Sequence, residues 1–146
     1  MAEQVVKLEI DFFDPHPVFA EAALVKSARS CFLIYTDRNG KRSALEFRRC
    51  TIASFGYPNE DALSGHRLYS KGLRWYDFSE VIDSEWIGSL RNGNKVQFPN
   101  FEALPNARHF VITFKENTFE CIAVDFVAAE SFPALDNKML KIEELI

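Results

Sequence analysis

His66 and Arg67 stand side by side in the stretch Gly56–Leu73, GYPNEDALSGHRLYSKGL, with Gly65 just before them and Gly72 a few residues after. A histidine exchanges a proton near neutral pH, and an arginine forks onto a carboxylate or phosphate. Together they have the chemistry to hold, or act on, a small polar or anionic ligand. Tyr57, Tyr69 and Trp75 supply ring faces nearby, and pockets for small molecules combine such faces with a few polar groups. These five residues are the candidate ligand-binding set. The same stretch also has a structural reading. Asn59 caps a single helical turn, Glu60 and Asp61 suit the positive end of its dipole, Gly65 stops it, and Gly72 bends the chain again. In that reading the rings are tucked beneath the loop and hold it in place.

Other chemistries lack their signatures. Ser54-Phe55-Gly56 has no glycine at the spacing of a GxSxG elbow, and six glycines form neither GxxxxGK[ST] nor GxGxxG, so no dedicated nucleotide-phosphate loop is expected. His16, His66 and His109 are far apart and outside HExxH, and Cys31, Cys50 and Cys121 are an odd set without CxxC. Neither a metal site nor a disulfide framework follows; three reduced, mostly buried thiols do. No cofactor is expected, and no residue is assigned a catalytic role. Glu60, Asp61, Asp77 and Glu80 read as polar rim or caps, since the separation glycoside chemistry needs cannot be taken from spacing along the chain.

Composition bounds the remaining classes. A chain of 146 residues with 47% hydrophobic and 26% charged residues has the size and apolar content of one folded domain spanning residues 1–146. Its 14 phenylalanines are mostly core. A net charge of −4 disfavours nucleic acid as a partner. The basic residues around the first hairpin alternate between the two faces of a sheet, so they form no continuous stripe. The N-terminal MAEQVVKLEIDFF carries acids within its apolar run and does not read as a secretory signal. With no run of about 18 apolar residues, no membrane span is expected. The expected location is cytoplasmic.

The elements that must carry these residues are mainly strands. Asn39-Gly40 suits a type I′ hairpin turn, and counting back from it pairs Thr36 with Ser43, Ile34 with Leu45 and Phe32 with Phe47 on one face. A second hairpin around Glu116-Asn117 pairs Phe114 with Phe119, Ile112 with Cys121 and Phe110 with Ala123; a three-residue loop is the alternative. That register puts His109 beside Val124 at the sheet end and on the opposite face from Cys121. Val5–Ile10 and Trp75–Ile82 alternate as strands, and Asp83 or Ser84 caps a helix running to about Arg91, with Gly93 ending it. From Asn94 to Ala107 the chain reads as a long loop, and Asp136 caps a last helix with Met139, Ile142 and Ile146 on one side. The expected architecture is α+β: a mostly antiparallel, twisted sheet built from two hairpins and flanking strands, with short helices covering one face.

Three segments, GYPNEDALSGHRLYSKGL, EVIDSEWIGSL and RHFVITFKENTFECIA, occur in that order. Together they resemble a group of small bacterial proteins of unknown function that share GYPN-x-x-A-x-x-GH-x-LY, a short S-x-W-I and RHF-x-x-TF-x-x-x-TFEC-x-A. The resemblance covers most of Gly56–Ala123 and implies a recurring unit containing Gly56, Tyr57, Pro58, Asn59, Gly65, His66, Leu68 and Tyr69. It implies no reaction, ligand or catalytic residue. The histidine-proline pair associated with that group is missing between Gly93 and Ala107.

Two functions fit these observations. One is a noncatalytic module that binds a small ligand or a protein partner through its aromatic and polar loops. The other is a small enzyme acting on a polar or anionic metabolite, with His66 as proton carrier and Arg67 as anion anchor.

Overall fold

The computed structural model describes residues 2–129 and shows an α+β fold with two antiparallel sheets. The expected helix after Asp136 lies outside the described residues. In chain order the strands are β1 (Gln4–Lys7), β2 (Ala23–Lys26), β3 (Ser30–Thr36), β4 (Arg42–Arg48), β5 (Ile52–Gly56), β6 (Phe78–Ile82), β7 (Arg108–Thr113), β8 (Thr118–Ala123) and β9 (Asp125–Ala128). The helix α1 (Glu85–Lys95) joins β6 to the loop before β7, and two 3-10 helices, Glu60–Gly65 and Tyr69–Lys71, lie between β5 and β6. One sheet has the order β1-β6-β7-β8-β5 and the other β2-β3-β4-β9. The single sheet expected from the hairpins is thus two sheets. The chain passes between them three times, from β1 to β2, from β4 to β5 and from β8 to β9.

The phenylalanines explain why two sheets form. Alternation sends Phe110, Ile112, Phe119 and Cys121 to one face of the larger sheet, and Cys31, Leu33, Tyr35, Leu45 and Phe47 to one face of the smaller. All nine are buried in one cluster between the sheets. The Phe47 ring meets Phe119 at 5.1 Å, Phe110 at 5.7 Å, Phe126 at 6.0 Å and Phe78 at 6.1 Å between centroids, separations at which rings attract beyond simple burial.

Both hairpins form, with registers that differ from the expected ones. In the first, Leu33 pairs with Leu45, Cys31 with Phe47, Ile34 with Ala44 and Thr36 with Arg42, a slip of one residue. The cause is Asp37. Its Oδ1 accepts from the amides of Asn39 and Lys41, its own amide bonds Lys41 O, and Gly40 N–H bonds Asp37 O. The result is a three-residue loop with only Gly40 at positive φ (+82°), the turn-plus-bulge form of hairpin. One residue of slip exchanges the faces, so Cys31, Leu33 and Tyr35 point into the core instead of Phe32 and Ile34. In the second hairpin Ile112 pairs with Phe119, Phe110 with Cys121 and Val111 with Glu120. The slip there is two residues, so the faces are kept and His109 and Cys121 remain on opposite sides. His109 pairs with Ile122 and Val81 instead of lying beside Val124; it is at the sheet end as expected, one residue in from the start of β7, and is fully buried. Helix α1 starts from Ser84, whose Oγ accepts from Ile87 N–H at 3.2 Å, and continues through Gly93 to Lys95; that glycine does not stop it.

The stretch Gly56–Leu73 covers the outer face of the larger sheet. Asn59 caps the first 3-10 helix through Oδ1 to Ala62 N–H at 3.2 Å. Leu63, Leu68 and Leu73 then bury fully against Val5, Val81 and Val111. Thr118 Oγ1 donates to Pro58 O and Thr113 Oγ1 to Arg74 O, both at 2.8 Å, which ties the cover to β7 and β8. Gly72 has φ of +119°, and a Cβ there would stand 3.0 Å from Val5 O, whereas Gly65 has open space. Gly72→Ala is therefore expected to lower stability by about 1–3 kcal/mol, and Gly65→Ala to leave it unchanged or raise it by up to about 1 kcal/mol, as measured by urea unfolding; equal effects would contradict the close approach.

Candidate functional site

A leucine on each side of the His66–Arg67 pair decides where the two side chains go. With Leu63 and Leu68 pinned to the sheet, His66 faces inward and Arg67 outward. His66 Nε2 meets Glu120 Oε2 at 2.9 Å, and its Nδ1 accepts from Leu68 N–H at 3.0 Å. An imidazole nitrogen that accepts carries no proton, so the ring is the Nε2–H tautomer and donates to the carboxylate. Glu120 lies on β8 on the face that carries Val111. Its other oxygen, Oε1, accepts from His109 Nε2 at 2.9 Å. His109 Nδ1 stands 2.8 Å from Ser84 Oγ, which accepts from Ile87 N–H; among the described residues the Ser84 hydroxyl has no other acceptor for its proton than Nδ1, so His109 is assigned the Nε2–H tautomer as well. The Trp86 ring covers His109 edge-on, centroids 5.2 Å apart at 74°.

The chain Ser84–His109–Glu120–His66 holds one carboxylate with two donors. Burial pushes the Glu120 carboxyl upward, but the hydrogen bonds from His109 and His66, joined by the charge those rings carry when protonated, outweigh it and bring its pKa down to about 2. The carboxylate is therefore ionised throughout the neutral range, and with four lone-pair directions it retains acceptor capacity after the histidines are counted.

A second buried acid ties the surroundings together. The Glu3 side chain is 0% exposed, and its Oε1 accepts from Arg67 Nη1 at 2.9 Å. Its Oε2 accepts from Glu85 N–H at 2.8 Å, at the start of α1, where a negative charge suits the helix dipole. Arg67 stays 47% exposed, leaving much of its guanidinium open to solvent. Ser54, Arg67, Glu85, Trp86 and Glu120 line a groove of about 370 Å³.

Of the five candidate residues, His66 and Arg67 come to this site, one behind Glu120 and the other on the rim. The others do not line the groove. Tyr57 is 83% exposed. Tyr69 and Trp75 stack edge to face at 5.6 Å, Arg74 lies over the Tyr69 ring, and Trp75 Nε1 donates to Glu60 O, so these rings brace the cover. Tyr76 and Glu60 close the same brace through a side-chain hydrogen bond. Ser54, Glu85, Trp86 and Glu120, with Glu3 and His109 behind them, were not among the candidates. A histidine and a glutamate on the same face as Val111 and Ile122, where alternation places both under cover, are the signal that could have found two of them. Glu80 and Asp77 serve as ion-pair partners of Arg108 and Lys7.

Ser84, His109 and Glu120 stand in the order of a nucleophile, a base and an acid. Yet Ser84 Oγ is already the α1 cap, and His109 is fully buried. The arrangement fixes tautomers and so fixes the charge of Glu120. Among the described residues no group of three or more His, Cys, Asp or Glu is placed to hold a metal ion, and no described helix is long and apolar enough to cross a membrane. Comparison with protein-family models, with curated proteins and with solved structures gives no match.

The depressed pKa has a testable consequence. Stability contributed by Glu120 is complete above its ordinary value of 4.5 and is lost as pH falls toward about 2, on the order of 3 kcal/mol in all. Urea unfolding at pH 7 and at pH 3 is expected to show a smaller acid loss in Glu120→Gln than in the parent chain. Parallel pH dependences would contradict the clamp.

Proposed function

We propose that the chain is a noncatalytic module that binds a small polar ligand in the groove of Ser54, Arg67, Glu85, Trp86 and Glu120. The observation that carries this reading is Glu120: a largely buried carboxylate held ionised by two imidazole N–H groups, with acceptor capacity left over at the groove. A fixed charge in partly desolvated surroundings is a recognition group, because its orientation is set before the ligand arrives. The groove's volume of about 370 Å³ suits a metabolite-sized molecule. His66 is committed through both nitrogens, so a role as free proton carrier would require breaking a bond that orders the cover. Two further concavities are of similar size: one of about 380 Å³ beside Phe13, Phe78 and Phe114 has its Arg38 and Lys7 paired with Asp14 and Asp77, and one of about 430 Å³ is lined by Ala28, Arg29, Arg49, Cys50 and Thr51, with no ring face beside its charged groups.

Nuclear magnetic resonance of the ¹⁵N-labelled chain with pools of amino acids, amines, carboxylic acids, sugars and nucleotides tests this reading. Shifts are expected at the Trp86 indole and the Ser54 and Glu120 amides, and Trp86→Ala is expected to weaken binding by about tenfold or more. Shifts confined to other surfaces would overturn it.

The Ser84–His109–Glu120 distances favour one enzymatic alternative, acyl transfer at Ser84. Covalent labelling of Ser84 by a fluorophosphonate in the folded chain, abolished by His109→Gln, would establish that alternative; an unlabelled Ser84 is the expected result.

A further inference from the structure

Charge accounting around the groove identifies the class of ligand. Arg67 is balanced by Glu3 beneath it, through the 2.9 Å contact of Nη1 with Oε1. His66 and His109 are both placed as neutral donors by their Nδ1 partners, Leu68 N–H and Ser84 Oγ. The two carboxylates that line the groove, Glu120 and Glu85, therefore have no fixed cation assigned to them: among the described residues neither takes part in an ion pair with Lys or Arg, and the contacts of Glu120 are the two imidazoles. Glu120 is aimed and ionised, and Glu85 is exposed beside it on the first turn of α1. Trp86 follows in the same wall, and an aromatic face next to carboxylates is a cation site in its own right.

The groove is not uniformly negative, however. Arg67 gives one nitrogen, Nη1, to Glu3, and its Nε and Nη2 edge makes no hydrogen bond among the described residues. That edge is the planar fork that accepts a carboxylate. A bare cation would leave the fork unused, and a bare anion would face two uncompensated carboxylates. Like charges at close quarters cost several kcal/mol in order of magnitude, which weighs against an anionic ligand.

We infer that the ligand of this groove is a small zwitterion, its ammonium received by Glu120, Glu85 and the Trp86 face and its carboxylate by the free edge of Arg67. This inference rests on the binding reading above and narrows it to a chemical class. Because both receptor groups line one cavity of about 370 Å³, the ligand is an amino acid or a short homologue of one. Ser54, opposite Glu120 on β5, supplies a hydroxyl to the same wall.

The test is a titration of the ¹⁵N-labelled chain with glycine, 4-aminobutyrate and 6-aminohexanoate, which bracket the separation of the two charges, and with butylamine and butyrate as single-charge controls. At least one zwitterion is expected to shift the Trp86 indole and Arg67 Nε–H signals and to bind about tenfold more tightly than butylamine, with butyrate weakest. Arg67→Gln is expected to bring the zwitterion down to the level of butylamine without weakening butylamine itself, and Glu85→Gln to weaken both. Butyrate binding as well as the zwitterion, or butylamine equalling it with no effect of Arg67→Gln, would overturn the inference. So would silence of the whole panel at Trp86. If members of the metabolite pools still shift Trp86 in that last case, the binding groove stands and only the ligand class falls; if neither the panel nor the pools shift it, both fall.

Discussion

A carboxylate on the covered face of a β-sheet has to be neutralised or given hydrogen-bond donors, and the larger sheet supplies donors. Glu120 receives one N–H from the strand beside it, through His109, and one from the cover above it, through His66. Each histidine is fixed in turn by a group that cannot be moved cheaply: the Leu68 amide in the cover, and the Ser84 hydroxyl that caps α1. Removing one partner from such an arrangement leaves a buried polar group unpaired, which costs more than the bond contributes when made. The position of the cover, the start of α1 and the tautomers of two histidines are thus coupled to one side chain.

The surrounding packing makes that coupling rigid. Leu63, Leu68 and Leu73 hold the cover on Val5, Val81 and Val111, while Glu3 joins β1 to both Arg67 and the first turn of α1. On the opposite face of the same sheet the phenylalanine cluster around Phe47 fixes the strands themselves. The site therefore lies on a sheet clamped from both sides, and its charged groups are oriented in advance of any ligand. In the binding role proposed above, such preorganisation is the source of selectivity for a weakly concave groove.

Local features were legible in the sequence wherever one residue acts on its own neighbours. Asn59 as cap, Gly72 as bend, Ser84 as cap and the existence of both hairpins follow from short-range chemistry. Register was not legible in the first hairpin, because Asn39-Gly40 is a good two-residue turn until the Asp37 carboxylate recruits two further amides and widens the loop. The candidate site was legible only in part. His66 and Arg67 stood out by type, but what they do is set by Glu120 and Glu3, 54 and 64 residues away. Tyr57, Tyr69 and Trp75 were equally conspicuous by type and are placed elsewhere. Spacing along a chain reports contacts within a turn or a hairpin; a network assembled across β1, the cover, α1, β7 and β8 appears only when the sheet order is known.

The protonation of the two imidazoles follows most directly from this arrangement. Long-range ¹H–¹⁵N correlation spectra of the side chains at neutral pH read it without any substitution. The expected result is a protonated Nε2 and an unprotonated Nδ1 in both His66 and His109. A proton on Nδ1 of either ring, whether as the other tautomer or as an imidazolium, would contradict a carboxylate held by two neutral donors.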